Sequence, residues 1–154
     1  MKISTRYARP SDLTDVLAMI QALSAFHGHT AETGLETLQA LFFGPSPAAV
    51  AMIATVADRP VGYAGLVRHI TLHAPTPRLD IQHLFVHEAF RSKGVGKALI
   101  AAAREHATGI GARGLTISTD PDNKTAQAAY SAMGLEDITG KIPRFWIPAN
   151  DPAV

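Results

Sequence analysis

Apolar residues along this chain follow two periods, one typical of β-strands and one typical of amphipathic helices. Residues 2–7 have strand character, which ends before Pro10. A cap at Ser11 or Asp12 then predicts a helix, because the apolar residues that follow recur at helical spacing. The apolar face of this helix consists of Leu13, Val16, Leu17, Ile20 and Leu23.

A second helix and three strands are predicted in the middle of the chain. Thr33 and Glu36 match a capping box, in which each of the two side chains accepts a hydrogen bond at the start of a helix. Apolar residues 49–57 and 61–71 flank a polar turn and therefore predict a hairpin. A further strand is predicted over residues 78–86.

The last third of the chain alternates helices with short strands. The spacing of apolar residues predicts a helix over residues 94–107 and a strand over residues 115–119. Asp122 or Asn123 caps a last helix, which Gly134 ends. One or two closing strands are predicted in the segment that contains the Phe-Trp-Ile triplet at residues 145–147, so the predicted order is βααβββαβαβ.

Composition predicts one enzyme-sized globular domain over residues 1–154. Apolar residues make up 47% of the chain and charged residues 18%, which excludes a disordered protein. The formal net charge is +1 and no basic stripe is visible, so we expect no nucleic acid as a partner.

No apolar stretch is long enough for a membrane span, the first residues do not resemble a signal peptide, and cysteine is absent. We therefore expect a cytoplasmic protein with no membrane partner.

The most informative segment, residues 84–99, is a short strand followed by a glycine-rich turn and an Ala-rich helix. A strand that leads through such a turn into a helix leaves free backbone N–H groups at the positive end of the helix dipole, where phosphate binds. Glycines at the turn let an anion approach the backbone. The candidate binding residues are Arg91, Ser92, Lys93, Gly94, Val95, Gly96 and Lys97.

Three phosphate-binding motifs were compared with this segment. A P-loop needs glycine where Arg91 stands and Ser or Thr where Ala98 stands, so it fails at two positions. A dinucleotide fingerprint needs a small residue where Leu99 stands and belongs in the first βα unit of a parallel sheet. The third motif, [RQ]-x-x-G-x-[GA], matches residues 91–96 at every fixed position.

That third motif is the signature of the Gcn5-related N-acetyltransferases (GNAT), which this chain resembles over nearly its whole length. The resemblance implies a mixed, mostly antiparallel central sheet of about six to seven strands flanked by about four helices, an α/β (α+β) fold. It also implies acetyl-CoA as co-substrate. In the family, the strand before the loop holds the pantetheine arm of CoA through its main chain, and here that strand is Leu84, Phe85 and Val86.

A second segment resembles the family's N-x-x-A-x-x-x-Y-x-x-x-G-[FL] helix. The resemblance implies that Asn123 and Ala126 line the arm and that Tyr130 protonates the departing thiolate. Tyr130 lies two turns after Asn123 and therefore on the same helix face. A tyrosine that only packs through its ring is the alternative.

The catalytic base departs from the commoner family pattern, which has an acidic residue two positions before the apolar run. Gln82 stands there and cannot act as a base, and His83 follows it. Either His83 takes the proton, or a water chain does, or the amine arrives neutral. Alternation places Gln82 on the strand face of Leu84 and Val86, where it would bind substrate or water, and His83 on the opposite face.

The resemblance as a whole implies an N-acetyltransferase that transfers acetyl directly to a primary amine, without a cysteinyl intermediate because the chain has no cysteine. A small-molecule acceptor (a diamine, an amino acid or an amino-sugar) is expected. A protein N-terminus or lysine is the alternative acceptor, and a non-catalytic acyl-CoA sensor is the alternative function.

We expect no metal, because no third or fourth ligand accompanies the His27 and His29 pair. Pairing into a homodimer is a further expectation.

Overall fold

The computed structural model describes residues 1–140. The chain forms two compact units, residues 1–118 and a second unit that begins at Thr119. The strands are β1 (Ile3–Tyr7), β2 (Ala49–Val56), β3 (Arg59–Thr71), β4 (Ala74–Val86) and β5 (Leu115–Ile117). The α-helices are α1 (Leu13–Phe26), α2 (Leu35–Phe43), α3 (Val95–Gly109) and α4 (Lys124–Ala132). Helix α4 belongs to the second unit and all other elements to the first.

The first unit is built on a five-stranded sheet in the order β1-β2-β3-β4-β5. The first four strands are antiparallel neighbours, and β5 lies parallel to β4. A two-residue turn joins β2 to β3, and both of its residues, Ala57 and Asp58, have positive φ, as the tightest hairpin turns require. Strand β5 lies parallel to β4 because α3 crosses over between them, whereas the connection from β1 to β2 contains two helices, α1 and α2, and those two strands are antiparallel.

Each face of this sheet carries its own apolar core. Helix α3 covers one face, and the central residues of that core are Ala64, Leu66, Leu79, Ile81, Val95, Leu99 and Ala103. Helices α1 and α2 cover the other face, whose core contains Val16, Met19, Ile20, Leu38, Ile53, Tyr63 and Phe85. Strands covered on both faces are buried on both faces, which is why residues 49–57 are apolar except for the buried Thr55.

The predicted mixed α/β class is confirmed, with five strands among residues 1–140 where about six to seven were expected for the whole chain. Strand β4 begins at Ala74, before the predicted start at residue 78, and β5 ends at Ile117, before the predicted end at residue 119. The closing strands predicted around residues 145–147 lie outside the described residues. One domain over residues 1–154 therefore stays a prediction.

The capping box predicted at Thr33 and Glu36 is wrong. Gly34 is the N-cap of α2 and no side chain caps this helix. Thr33 therefore stands one residue too early to reach the third helical N–H, and its buried Oγ1 has no hydrogen-bond partner in the described part of the chain. Glu36 occupies the second helical position, where the reciprocal bond of a capping box does not form.

None of the helices in residues 1–140 combines the length and the apolar character needed to cross a membrane.

Candidate active site

The turn between β4 and α3 has the backbone shape of an anion-binding loop. Strand β4 ends at Val86, a single 3₁₀ turn follows, and α3 begins at Val95. Two residues of the turn are left-handed, Ser92 with φ +57° and Gly94 with φ +87°. Gly94 is the N-cap of α3, and its positive φ is a conformation that glycine adopts without strain.

The N–H groups of this turn are free to bind a ligand. No backbone or side-chain acceptor among residues 1–140 receives a hydrogen bond from the N–H groups of residues 92–97. The first such bond of α3 runs from the Ala98 N–H to the Gly94 carbonyl, 2.9 Å away. These unpaired donors stand at the N-terminus of a 15-residue helix, whose dipole adds positive potential at the same place. The arrangement suits a pyrophosphate.

Space and charge around the turn fit the same group. A Cβ at Gly96 would meet only Val86 Cγ2, at 3.9 Å, so no protein atom fills the space beside this helical turn. Arg91, Lys93 and Lys97 are exposed cations around it. Lys93 Nζ donates to the Ala89 carbonyl at 2.8 Å, which holds that charge at the turn. The predicted loop residues thus form one cationic cradle with unpaired donors.

The strand that leads into the loop has an open edge. Strand β5 pairs with β4 only from Leu79 to Ile81, and no described strand pairs with that edge of β4 over residues 82–86. The sequence could not show this separation of the two strands. An extended ligand arm rich in amides can hydrogen-bond along such an edge as an added strand does.

Alternation along β4 decides which main-chain groups face the open edge. The N–H of His87, the residue after β4, donates to the Val61 carbonyl at the start of β3. Because successive residues of a strand direct their N–H and C=O groups to opposite edges, Leu84 and Val86 direct theirs to the open edge. These are the two residues whose main chains were expected to hold the pantetheine arm, and Phe85 between them packs in the α1 and α2 core.

A bulge at Gln82 changes the faces predicted for β4. The register with β3 shifts between the Gly65–His83 and Leu66–Ile81 pairs, so Gln82 is an extra residue. As a result Ile81 and Leu84 both pack on the α3 core, although they are three residues apart. The predicted alternation assumed an unbroken pleat; its placement of His83 opposite Leu84 and Val86 agrees with the structure, and the bulge interrupts the alternation at Gln82. Gln82 is exposed at the bulge.

His83 lies on the face of α1 and α2 and is held there by a tyrosine. Its Nδ1 forms a hydrogen bond with the hydroxyl of Tyr63 on β3. Burial, with a smaller contribution from the charge of nearby His27, lowers the pKa of His83. Burial also raises the pKa of Tyr63, whose phenol is therefore protonated at neutral pH. The pair is electrically neutral near pH 7.

A second polar pair lies on the same sheet face, further from the loop. Thr116 Oγ1 donates to Asp80 Oδ1 at 2.7 Å, across the parallel β4–β5 pairing. Asp80 alternates with Leu79 and Ile81, which pack on the α3 core, so its side chain belongs to the opposite face. The bulge thus places Asp80 and His83 on one face of β4, although they are three residues apart.

The second predicted motif lies in the second unit. Asn123 caps α4, and its side-chain oxygen accepts a hydrogen bond from the Ala126 N–H at 3.1 Å. Tyr130 lies seven residues after Asn123 in the sequence and is half-buried. Burial raises the pKa of Tyr130, so its phenol keeps its proton at neutral pH, as a proton donor must. The roles predicted for these three residues stay predictions.

Sequence reasoning missed Tyr63 and Asp80. Tyr63 stands in an apolar stretch that predicts only a strand, and its link to His83 spans 20 residues across the β3–β4 hairpin. An available signal was that an antiparallel hairpin must bring these two strands side by side. The bulge hides which residues meet, because a shift of one residue exchanges the two faces.

The sequence of this chain is similar to those of known proteins. Residues 16–135 match the Acetyltransferase (GNAT) family. Thialysine N-epsilon-acetyltransferase of Mus musculus is 28% identical over 144 residues, which cover 87% of this chain and 84% of the mouse protein. Aminoglycoside N(6')-acetyltransferase type 1 of Salmonella typhimurium is 33% identical over 80 residues, which cover 50% of this chain and 55% of that protein. Across the curated relatives that match, the chain spans from 25% to 86% of their length.

The fold is also that of solved acetyltransferases. The structure of AAC(6')-Iy in complex with the bisubstrate analogue CoA-S-monomethyl-acetylneamine superimposes with a TM-score of 0.80 over 96% of this chain and 100% of that chain. The two sequences are 22% identical, so this likeness concerns the fold.

Proposed function

The chain belongs to the GNAT family of acetyltransferases and is an N-acetyltransferase, and from that premise we propose that it transfers acetyl from acetyl-CoA directly to a primary amine of a small molecule. The observation that carries the proposal is that the main-chain groups of the open edge, where the Arg91 side chain bonds the Val86 carbonyl, continue into a loop whose N–H groups are free among the described residues. The open edge at Leu84 and Val86 leads directly into the free N–H groups of residues 92–97. Together these groups would hold the arm and the pyrophosphate of one extended ligand.

The chemistry then needs only groups that this chain carries. The amine nitrogen attacks the thioester carbonyl carbon, a C–N bond forms, and the C–S bond breaks. A main-chain N–H at the open edge, from Leu84 or Val86, would stabilise the negative charge that develops on the carbonyl oxygen. Tyr130 would give its proton to the departing thiolate, and its phenol is protonated for that step.

The amine must lose a proton before or during the attack. Gln82 carries no basic group, and its exposed position at the bulge suits a hydrogen bond to the acceptor or to a water that accepts this proton. His83 follows the bulge residue directly and precedes Leu84 of the open edge. No cysteine is present, so the acetyl group has no thiol acceptor on the protein.

A small-molecule acceptor is proposed over a protein N-terminus or lysine. Four of the relatives that match are named for thialysine or aminoglycosides, which are small molecules that carry amines. The sheet face beside the open edge also carries two polar side chains, Asp80 bonded to Thr116 and His83 bonded to Tyr63, and so few polar groups suit a compact polar acceptor. The alternative of a protein acceptor is tested in the same assay with a lysine peptide.

The test is a thiol-release assay of the full chain with acetyl-CoA and a panel of acceptors. The panel contains diamines, amino acids, amino-sugars, aminoglycosides and a lysine peptide. We expect thiol release with at least one small amine and formation of the N-acetyl product by mass spectrometry. Binding of acetyl-CoA without thiol release from any amine up to about pH 9, where more of each amine is unprotonated, would contradict the enzyme and favour a sensor. Release with the peptide alone would contradict the acceptor class.

A further inference from the structure

We propose that Tyr63 holds His83 in the tautomer whose Nε2 carries the hydrogen, so that His83 donates a hydrogen bond to an oxygen atom of the acceptor and does not take the proton of its amine. The inference deepens the proposed function and rests on it. It makes His83 a specificity-determining residue and Tyr63 its positioning residue.

The first step concerns the hydroxyl of Tyr63. Tyr63 is 1% exposed, and among residues 1–140 its hydroxyl has one hydrogen-bond partner, His83 Nδ1. A buried hydroxyl hydrogen without an acceptor costs about 1–3 kcal/mol. If Tyr63 donates to Nδ1, one bond uses both this hydrogen and the Nδ1 lone pair. If Nδ1 donates instead, the hydroxyl hydrogen has no acceptor there.

The second step concerns the room that lets the two side chains meet. Tyr63 stands opposite Phe85, and His83 stands opposite Gly65 on the neighbouring strand. The position of a Cβ at Gly65 would lie 3.6 Å from both His83 Cβ and Tyr63 Cε2. The phenol leans along β3 past Gly65 toward the imidazole, and the two rings meet at 90° with their centres 6.1 Å apart. Packing of Tyr63 in the α1 and α2 core fixes this direction.

The third step follows from the chemistry of imidazole. In the neutral ring one nitrogen carries hydrogen and the other accepts. When Nδ1 accepts from Tyr63, Nε2 is a donor and the ring has no lone pair left for a proton. Nε2 has no partner among the described residues. The groups that act on the ring are Tyr63 on β3 and His27 after α1, and both burial and His27 oppose a positive charge on it.

A hydrogen on Nε2 of His83 determines which acceptors the proposed site favours. An N–H donor beside the reacting amine favours an acceptor that carries a hydroxyl, ether or carboxylate oxygen close to its amine, such as an amino-sugar or an amino acid. An alkyl amine or a plain diamine offers no such oxygen. The amine proton then leaves to water, and only the neutral amine reacts.

The first measurement does not depend on activity. Long-range ¹⁵N–¹H correlation spectra of the full, ¹⁵N-labelled chain, with and without CoA, report which imidazole nitrogen of His83 carries hydrogen, and His83→Gln assigns the signals. We expect hydrogen on Nε2 in the wild type. In Tyr63→Phe, which keeps the ring and loses the hydroxyl, we expect both tautomers and a higher imidazole pKa. Hydrogen on Nδ1 in the wild type would overturn the proposal.

The second measurement compares two substitutions of His83. Gln retains an N–H donor at about the same distance from the backbone, and Ala retains none. We expect His83→Gln to keep kcat/KM within about threefold and His83→Ala to lose about three- to tenfold, the value of one neutral hydrogen bond. A general base would make both variants lose about 10²- to 10⁴-fold. Equal losses in the two variants would therefore contradict the donor role.

Acceptor choice and pH complete the test. Ethanolamine and propylamine have nearly the same size and differ by one oxygen, so wild type should prefer ethanolamine, after correction for the free-amine fraction, and His83→Ala should lose the preference. The kcat/KM of the wild type should rise about tenfold per pH unit toward the pKa of the amine, near ~10. A plateau that begins at or below the ordinary imidazole pKa, about 6.5, would assign the proton to His83 and overturn the proposal. Absence of any acetylation by the wild type would contradict the proposed function, and the ¹⁵N spectra would still decide the tautomer.

Discussion

Arg91 donates a hydrogen bond from Nε to the carbonyl oxygen of Val86 at 3.0 Å, so the first residue of the loop motif is tied to the last residue of β4. This bond satisfies the Val86 carbonyl at the open edge, where β5 offers no partner. It also places a guanidinium between the edge and the free N–H groups of residues 92–97. Arg91 thus connects the two parts of the proposed acetyl-CoA site through one side chain.

Arg91→Lys keeps the positive charge and loses the planar group that donates to Val86. Because lysine does not reproduce the guanidinium geometry, we expect the Kd for CoA to rise about tenfold. Arg91 is exposed, so the free energy of unfolding should change by less than about 0.5 kcal/mol. Calorimetric titration with CoA measures the effect. The matched control is Arg104→Lys, an exposed arginine further along α3, and equal Kd values for the two variants would contradict the prediction.

Gly96→Ala tests whether the space beside the first turn of α3 belongs to a ligand. The new Cβ meets only Val86 Cγ2 at 3.9 Å, and alanine favours a helix over glycine by about 1 kcal/mol, so Tm should stay or rise. Affinity for CoA should nevertheless fall at least about tenfold, because the methyl group occupies the approach to the N–H groups. Gly109→Ala, in open space at the other end of α3, should leave CoA affinity unchanged. If Gly96→Ala binds CoA with the wild-type Kd, the prediction that CoA binds at the N–H groups of residues 92–97 is wrong.

Gly94→Ala has a different expected effect, on stability. Gly94 has φ +87°, where an L side chain is strained, although a Cβ would contact only Ile3 Cδ1 at 3.9 Å. We expect a loss of about 1 kcal/mol in the free energy of unfolding, measured by urea denaturation. An unchanged free energy of unfolding would contradict the prediction, because it would mean that the turn accommodates a Cβ at position 94 without strain.

Tyr130→Phe removes the proposed proton donor and keeps the ring. We expect kcat to fall about tenfold to hundredfold while the Kd for acetyl-CoA stays within about twofold, measured by steady-state kinetics and calorimetry. Burial raises the pKa of Tyr130, so its ionisation should not limit kcat below about pH 10. Tyr7→Phe, which removes a hydroxyl from β1, is the control. An unchanged kcat in Tyr130→Phe would remove this residue from the mechanism.

Asp12 links stability to acidic pH. Both of its carboxylate oxygens accept from Arg6, at 2.7 and 2.9 Å, and this hydrogen bonding lowers the pKa of Asp12. A carboxyl whose pKa is lower in the folded state stabilises the fold above its unfolded pKa, near ~3.9, and loses that contribution as pH falls through the folded value. Asp12→Asn should therefore cost about 1–3 kcal/mol at pH 7 and progressively less below about pH 4, by urea denaturation. A cost that is independent of pH would assign the effect to packing.

Local features of the site could be predicted from the sequence. The strand, the glycine-rich turn and α3 depend on residues that are neighbours in the chain, and Gly94 has the backbone conformation that such a turn requires. Asn123 caps α4 as its position before an alanine-rich helix predicts. In both places a propensity or a cap acts within a few residues, so no tertiary contact was needed.

Non-local features could not be predicted. The bulge at Gln82 depends on how β4 pairs with β3, and the open edge depends on where β5 stops, at Ile117. Neither depends on residue types near the site. The Tyr63–His83 hydrogen bond follows from the same pairing, which is why the sequence left three alternatives for the loss of the amine proton, with His83 as one of them, and assigned Tyr63 no role.

The uncovered side of β4 has a cost for the protein when no acyl-CoA is present. A row of unsatisfied amides on an extended segment is a template on which another molecule can add a strand, and natural sheets usually block it with a charge, a proline or a cover. Within residues 82–86 the only polar side chains are Gln82 and His83, and no proline interrupts the segment, so the Arg91 side chain, through its bond to the Val86 carbonyl, covers one end of this edge only. Saturating CoA should therefore slow self-association of the purified protein, because the ligand would stand where an intruding chain would otherwise pair.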